Sequence, residues 1–181
     1  MDVLRTPDHR FSGLPDWPYE PHYTEVPDGD GGTLRVHHAE DGPADGPTVL
    51  LLHGEPTWGY LYRKMMPALA EEGIRSLVPD QVGFGRSDKP TDRGDYSYQR
   101  HVDWMQRWLD TTGTERLFFF GQDWGGLIGL RLVAADPKRF AGLVVSNTGL
   151  PDGSGKPNDA FMAWQRFSQT AEEFPIGRII T

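Results

Sequence analysis

Leu117-Phe118-Phe119-Phe120-Gly121-Gln122-Asp123-Trp124-Gly125-Gly126 passes from an apolar run, through a glycine-bounded turn, into a stretch of helical spacing that continues to about Ala135. A short run without polar residues reads as a strand covered on both faces in a parallel sheet. Glycines around one polar residue permit the tight turn that lifts its side chain above the sheet edge. The lifted residue is Asp123. An Asp between glycines is ordinarily a turn former or a helix cap; the strand in front and the helix behind give this one another use. A carboxylate, with an ordinary pKa near about 3.9, is ionised at neutral pH and can displace a leaving group from saturated carbon without a base to activate it.

Three more runs frame this turn. Thr48–Leu52, Ile74–Val78 and Leu143–Val145 read as buried strands of the same kind. Between them, Leu61, Met65 and Leu69, then Tyr98, Val102, Met105 and Leu109, recur three and four residues apart and predict helices with one apolar face, the first kinked at Pro67. With the helix over Gly125–Ala135 the order is strand, helix, strand, helix, strand, helix, strand, an α/β pattern with a mostly parallel sheet. Leu34, Val36 and His38 alternate as a half-buried strand, followed by a turn or hairpin through Asp41-Gly42-Pro43 and Asp45-Gly46-Pro47. Residues 1–30, without a sustained period, read as a surface arm anchored by Phe11, Trp17 and Tyr19. The expected organisation is a core over 1–150 and, after the Pro151–Pro157 connector, a different segment over 151–181.

Composition narrows the chemistry. The 181 residues carry no cysteine, which excludes disulfides, thiolate catalysis and cysteine zinc sites. A formal charge of −8 argues against nucleic acid, whose phosphates demand clustered Lys and Arg. No apolar run approaches the roughly 20 residues of a membrane helix, and no export signal is visible, so a cytoplasmic location without membrane attachment is expected.

Two further loops fall on the sheet edge that carries Asp123. His53-Gly54-Glu55-Pro56 follows the first buried strand, where a backbone N–H, here that of Glu55, can join the N–H of Trp124 in an oxyanion hole. A lone His-Gly is commonplace in loops; its position relative to Asp123 carries the signal. Asp80-Gln81-Val82-Gly83-Phe84-Gly85-Arg86-Ser87 follows the next strand. Its glycines lack the third position of a dinucleotide fingerprint and open no helix, which excludes a Rossmann site.

The segments Arg5-Thr6-Pro7-Asp8, Arg10-Phe11-Ser12, His53-Gly54-Glu55-Pro56-Thr57-Trp58, Tyr60-Leu61-Tyr62-Arg63-Lys64-Met65, Gly83-Phe84-Gly85, Ser87-Asp88-Lys89-Pro90 and Gln122-Asp123-Trp124-Gly125-Gly126 together resemble the haloalkane dehalogenases of the α/β-hydrolase superfamily, in particular their dichloroethane-degrading branch. The likeness runs nearly the whole chain. It implies an α/β-hydrolase fold with a helical cap starting in 151–181, and hydrolysis of a haloalkane to alcohol and halide through an alkyl ester on Asp123. It also implies a small apolar halogenated alkane, halide and water as partners, no cofactor or metal, and a monomer at full length. Glu55 would help position the hydrolytic water, and the indoles of Trp124 and Trp164 would hold the halide. An indole N–H is a donor without a competing acceptor, whereas an ionised Glu55 only accepts and would repel an anion. Without the resemblance, Trp164 reads as a core aromatic of a helix.

In this fold the histidine base follows the nucleophile along the chain. All six histidines, His9, His22, His37, His38, His53 and His101, precede Asp123, and Ser146-Asn147-Thr148 supplies no acid after its strand. The chain therefore reads as the N-terminal part of such an enzyme, ending at Ile179-Ile180-Thr181 within the cap, with acid and base outside it. Two alternatives remain: an epoxide hydrolase, which shares the Asp nucleophile, and a non-catalytic fragment or pseudoenzyme.

Overall fold

In a computed structural model the described residues are 1–151, 153–172 and 175. The end of the segment expected over 151–181, Ile179-Ile180-Thr181 included, lies outside them. The strands are β1 (Val3–Leu4), β2 (His22–Pro27), β3 (Thr33–Asp41), β4 (Thr48–Leu52), β5 (Arg75–Pro79), β6 (Lys89–Pro90), β7 (Leu117–Gln122) and β8 (Phe140–Ser146). The helices are α1 (Met65–Glu71), α2 (Tyr98–Thr111), α3 (Trp124–Ala135) and α4 (Asp159–Thr170). Six strands form one sheet in the order β2-β3-β5-β4-β7-β8, with β5, β4, β7 and β8 parallel and β2 and β3 antiparallel. The short β1 and β6 pair separately.

Alternation along β4 explains the layering. Leu50 and Leu52 join Leu77, Trp104, Trp108, Phe119, Ile128 and Leu132 in the core beneath α2 and α3. Val49 and Leu51 point to the opposite face and pack with Val78, Tyr62 and Met66 from the α1 side. The parallel strands thus bring the loops after β4, β5 and β7 to one edge, where ligands bind in open α/β sheets.

The structure corrects four expectations. Residues 1–30 are not all arm: His22–Pro27 forms a strand along β3. As the outer strand of the sheet it buries only Val26, so its apolar period is too weak to read. The strand over Thr33–Asp41 makes its hairpin with this strand and not with the one after the glycine-proline turns. Pro67 lies in the first turn of α1, where its missing N–H removes no intrahelical bond, and Gly59–Tyr62 before it is a 3-10 turn. Leu143–Val145 is not covered on both faces; all three side chains are exposed on a strand that borders the sheet among the described residues.

The chain divides into two compact units, Met1–Gly149 and Leu150–Thr181. In the second, Asn158 caps α4 by accepting a hydrogen bond from the Phe161 N–H at 2.8 Å. Among the described residues no helix is long and apolar enough to cross a membrane.

Candidate active site

Asp123 joins β7 to α3 at φ 54° and ψ −126°, backbone that L residues rarely adopt. Its surroundings hold it there. The Thr148 hydroxyl donates to its carbonyl at 2.7 Å, and the Gly126 and Leu127 N–H groups bond the same oxygen at 3.0 and 3.2 Å. Strain kept by this many contacts is typical of functional positions. Gly125 sits where a β-carbon would overlap the Leu52 carbonyl, so only glycine lets α3 start this close to β4.

The loop after β4 meets the raised carboxylate. The Glu55 N–H donates to Asp123 Oδ1 at 2.8 Å, and a β-carbon on Gly54 would overlap that carboxylate. Trp124 is the first residue of α3, so its N–H has no acceptor within the helix. Partial desolvation, then the Asp123 charge, pushes the Glu55 carboxyl above its ordinary pKa. One oxygen of Asp123 is thus held by a backbone donor.

Beside it opens a cavity of about 210 Å³ lined by Gly54, Glu55, Gln81, Phe84, Tyr96, Ser97, Tyr98, His101, Trp124 and Ile128. It is small and largely apolar, suited to a compact neutral molecule. The Tyr98 ring packs edge-on against Trp124, with centroids 6.0 Å apart. Its hydroxyl donates to the Leu127 carbonyl at 2.7 Å, and that of Tyr96 to Pro90 at 2.9 Å.

The histidines are differently placed. His53 is fully buried and committed: the Gln81 N–H donates to its Nε2 at 3.0 Å, so the ring proton is on Nδ1, which donates to the Gly54 carbonyl at 2.9 Å. His37 is paired with Asp80 at 2.8 Å. His101 lines the cavity, and burial, with His53 adding, lowers its pKa to about 4. Its Nδ1 is buried without a hydrogen bond.

A family model described as alpha/beta hydrolase fold matches residues 47–178. The chain belongs to this α/β-hydrolase family. It is 54% identical over 99% of its length to a haloalkane dehalogenase of Psychrobacter cryohalolentis, of which it covers 59%. Among solved structures it is similar to the tetrameric haloalkane dehalogenase DpaA of Paraglaciecola agarilytica NO2, with a TM-score of 0.88 and 38% identity over 97% of this chain and 58% of that one. An epoxide hydrolase of Vigna radiata is more distant: TM-score 0.68, 30% identity, 82% of this chain and 47% of that one. The chain thus spans about three fifths of the length of the curated relatives it matches.

Of the residues singled out in this α/β-hydrolase sequence, Asp123, Glu55 and Trp124 come together at one sheet edge. Trp164 lies on α4 in the second unit, half exposed, its ring 6.1 Å from that of Phe167. Gln81, Tyr98 and Thr148 are not marked as parts of the site by the sequence, whereas His101 is the upstream histidine it leaves as the least implausible base. Gln81 has one signal, an amide just after a buried strand in a loop already marked as functional; Tyr98 and Thr148 are brought in by tertiary contacts alone.

Proposed function

We propose that this chain carries the nucleophilic part of a haloalkane dehalogenase. The ionised Asp123 carboxylate attacks the halogen-bearing carbon, forming a C–O bond as the C–X bond breaks and halide leaves with its electron pair. Water then adds to the ester carbonyl, releasing the alcohol, a proton and free Asp123. What carries the reading is the raised Asp123 with Oδ1 held by the Glu55 N–H at 2.8 Å, an arrangement that also stabilises the oxyanion of ester hydrolysis.

The Trp124 indole, at the cavity wall, receives the halide, and Trp164 adds the second indole from a segment that begins a helical cap. Glu55 orients the hydrolytic water. Support for the substrate class comes from the small, largely apolar cavity and from similarity to dehalogenases over the whole chain. His53, with both ring nitrogens engaged, is not the base for that water.

Epoxide opening is disfavoured by the cavity tyrosines. That reaction needs an acidic hydroxyl at the epoxide oxygen, and both Tyr96 and Tyr98 donate to backbone carbonyls. Burial, then Asp95, also raises Tyr96 to a pKa of about 12. Bromide release from 1-bromobutane, measured beside diol formation from styrene oxide, tests the assignment. Bromide without diol is expected; diol without bromide would reverse it.

A further inference from the structure

The loop that presents the Glu55 N–H has its preceding carbonyls tied back, each by a different partner. The Tyr62 hydroxyl donates to Leu52 at 2.7 Å. The Gly54 carbonyl accepts from the Thr57 N–H at 3.0 Å, the Thr57 hydroxyl at 2.8 Å and His53 Nδ1 at 2.9 Å. Between them, the His53 carbonyl accepts from the side-chain amide of Gln81. Gln81 also donates its backbone N–H to His53 Nε2, so this one residue grips both ends of His53.

Gln81 is unusual for its place. It is 2% exposed, yet it lines a cavity whose walls are otherwise largely aromatic and aliphatic. An amide there is costly unless it is bonded, and its use is specific: a carbonyl only accepts, so the NH2 group must face His53. The next peptides along are those of Gly54 and Glu55, and the Glu55 N–H is the one bonded to Asp123 Oδ1.

We propose that Gln81 is a positioning residue for the nucleophile, its side-chain amide fixing the His53 carbonyl so that the Glu55 N–H stays aligned on Asp123 Oδ1. Gln81 itself touches neither the reacting carbon nor the carboxylate. Its effect runs through two peptide planes, where small misplacements of a reacting group cost about 10²-fold in rate. The proposal deepens the reading of Asp123 as nucleophile and rests on it for its kinetic consequence only.

Gln81→Met keeps the length and removes the donor. In the 181-residue chain, the Glu55 amide resonance should move upfield and exchange its proton faster by about tenfold or more. The saturating rate of Asp123 alkylation by 1-bromohexane should fall by a similar factor, with the half-saturating concentration changed less than about twofold. Gln81→Asn, which draws the amide back by one methylene, gives the same readings if the Met variant does not fold. An unchanged Glu55 amide in a folded variant overturns the proposal, as does a change confined to the half-saturating concentration, which would make Gln81 a cavity wall only. Failure of the unsubstituted chain to be alkylated would instead count against Asp123 as nucleophile, and the Glu55 amide would still decide the role of Gln81.

Discussion

Asp123→Asn keeps the shape of the side chain and tolerates the left-handed backbone at φ 54°, since Asn is among the residues that adopt it most readily. What it loses is the negative charge. Alkylation and halide release should fall by roughly 10³-fold or more while the unfolding midpoint stays close to that of the parent chain. Residual turnover near the parent level would remove Asp123 from the mechanism. Trp124→Phe keeps a ring against Tyr98 and deletes the indole donor. A hydrogen bond to an anion contributes about 1.5–3 kcal/mol, so chloride should bind more than about tenfold more weakly by fluorescence quenching. Unchanged affinity would leave Trp124 as packing. At this scale the sequence points to Asp123, Glu55 and Trp124 because each stands at a fixed offset from a buried strand, and the three do meet at one sheet edge. It does not disclose Thr148, 25 residues after Asp123, whose hydroxyl reaches the Asp123 carbonyl only once β8 lies beside β7.

The elements carry a dependence on pH. His38 on β3 stacks on His22 of β2 and meets Trp108 of α2 edge-on, with Glu40 and Arg75 also acting on it. Burial, then the His22 charge, lowers its pKa to about 4 from an ordinary value of 6.5, and His101 on α2 is lowered as far. A histidine that resists protonation in the fold but accepts a proton when unfolded stabilises the unfolded state as pH falls. The full stability is present above about pH 6.5 and is lost progressively toward pH 4, at about 1.4 kcal/mol per pH unit for each histidine. Urea midpoints between pH 7.5 and 5 should therefore decline, and because burial also lowers the pKa of His53, His38→Phe should remove about a third of that histidine-dependent slope. A slope unaffected by His38→Phe and His101→Phe would show that neither residue sets it. The long helix α2 was legible from Val102, Met105 and Leu109, all buried as its spacing predicts. Strand β2 was not, because a strand with a single buried side chain has no period to detect.

At the scale of the molecule, β8, which borders the sheet among the described residues, presents Leu143, Val144 and Val145, with Phe118 of the neighbouring β7 also exposed. Contiguous apolar side chains beside an open strand edge favour association. The 181-residue chain should bind a hydrophobic dye and self-associate at micromolar concentration, and Val144→Lys should reduce both. A dye-silent, monodisperse monomer by light scattering would contradict this. The alternation of strands and helices made the fold class readable, because burial on both faces leaves apolar runs that solvent-facing strands lack. The exposure of β8 was readable only from its place in the strand order, as an unpaired edge with an uncovered apolar face, since its own residues are as apolar as those of the covered strands. All these scales converge on one chemical claim, that Asp123 is raised, ionised and oriented to take an alkyl group from a haloalkane. Incubation with 1-bromohexane followed by peptide mass spectrometry tests it most directly. A single hexyl group on the peptide containing Asp123, absent from Asp123→Asn, is the predicted result; an unmodified Asp123, or a hexyl group that persists in Asp123→Asn, would contradict it.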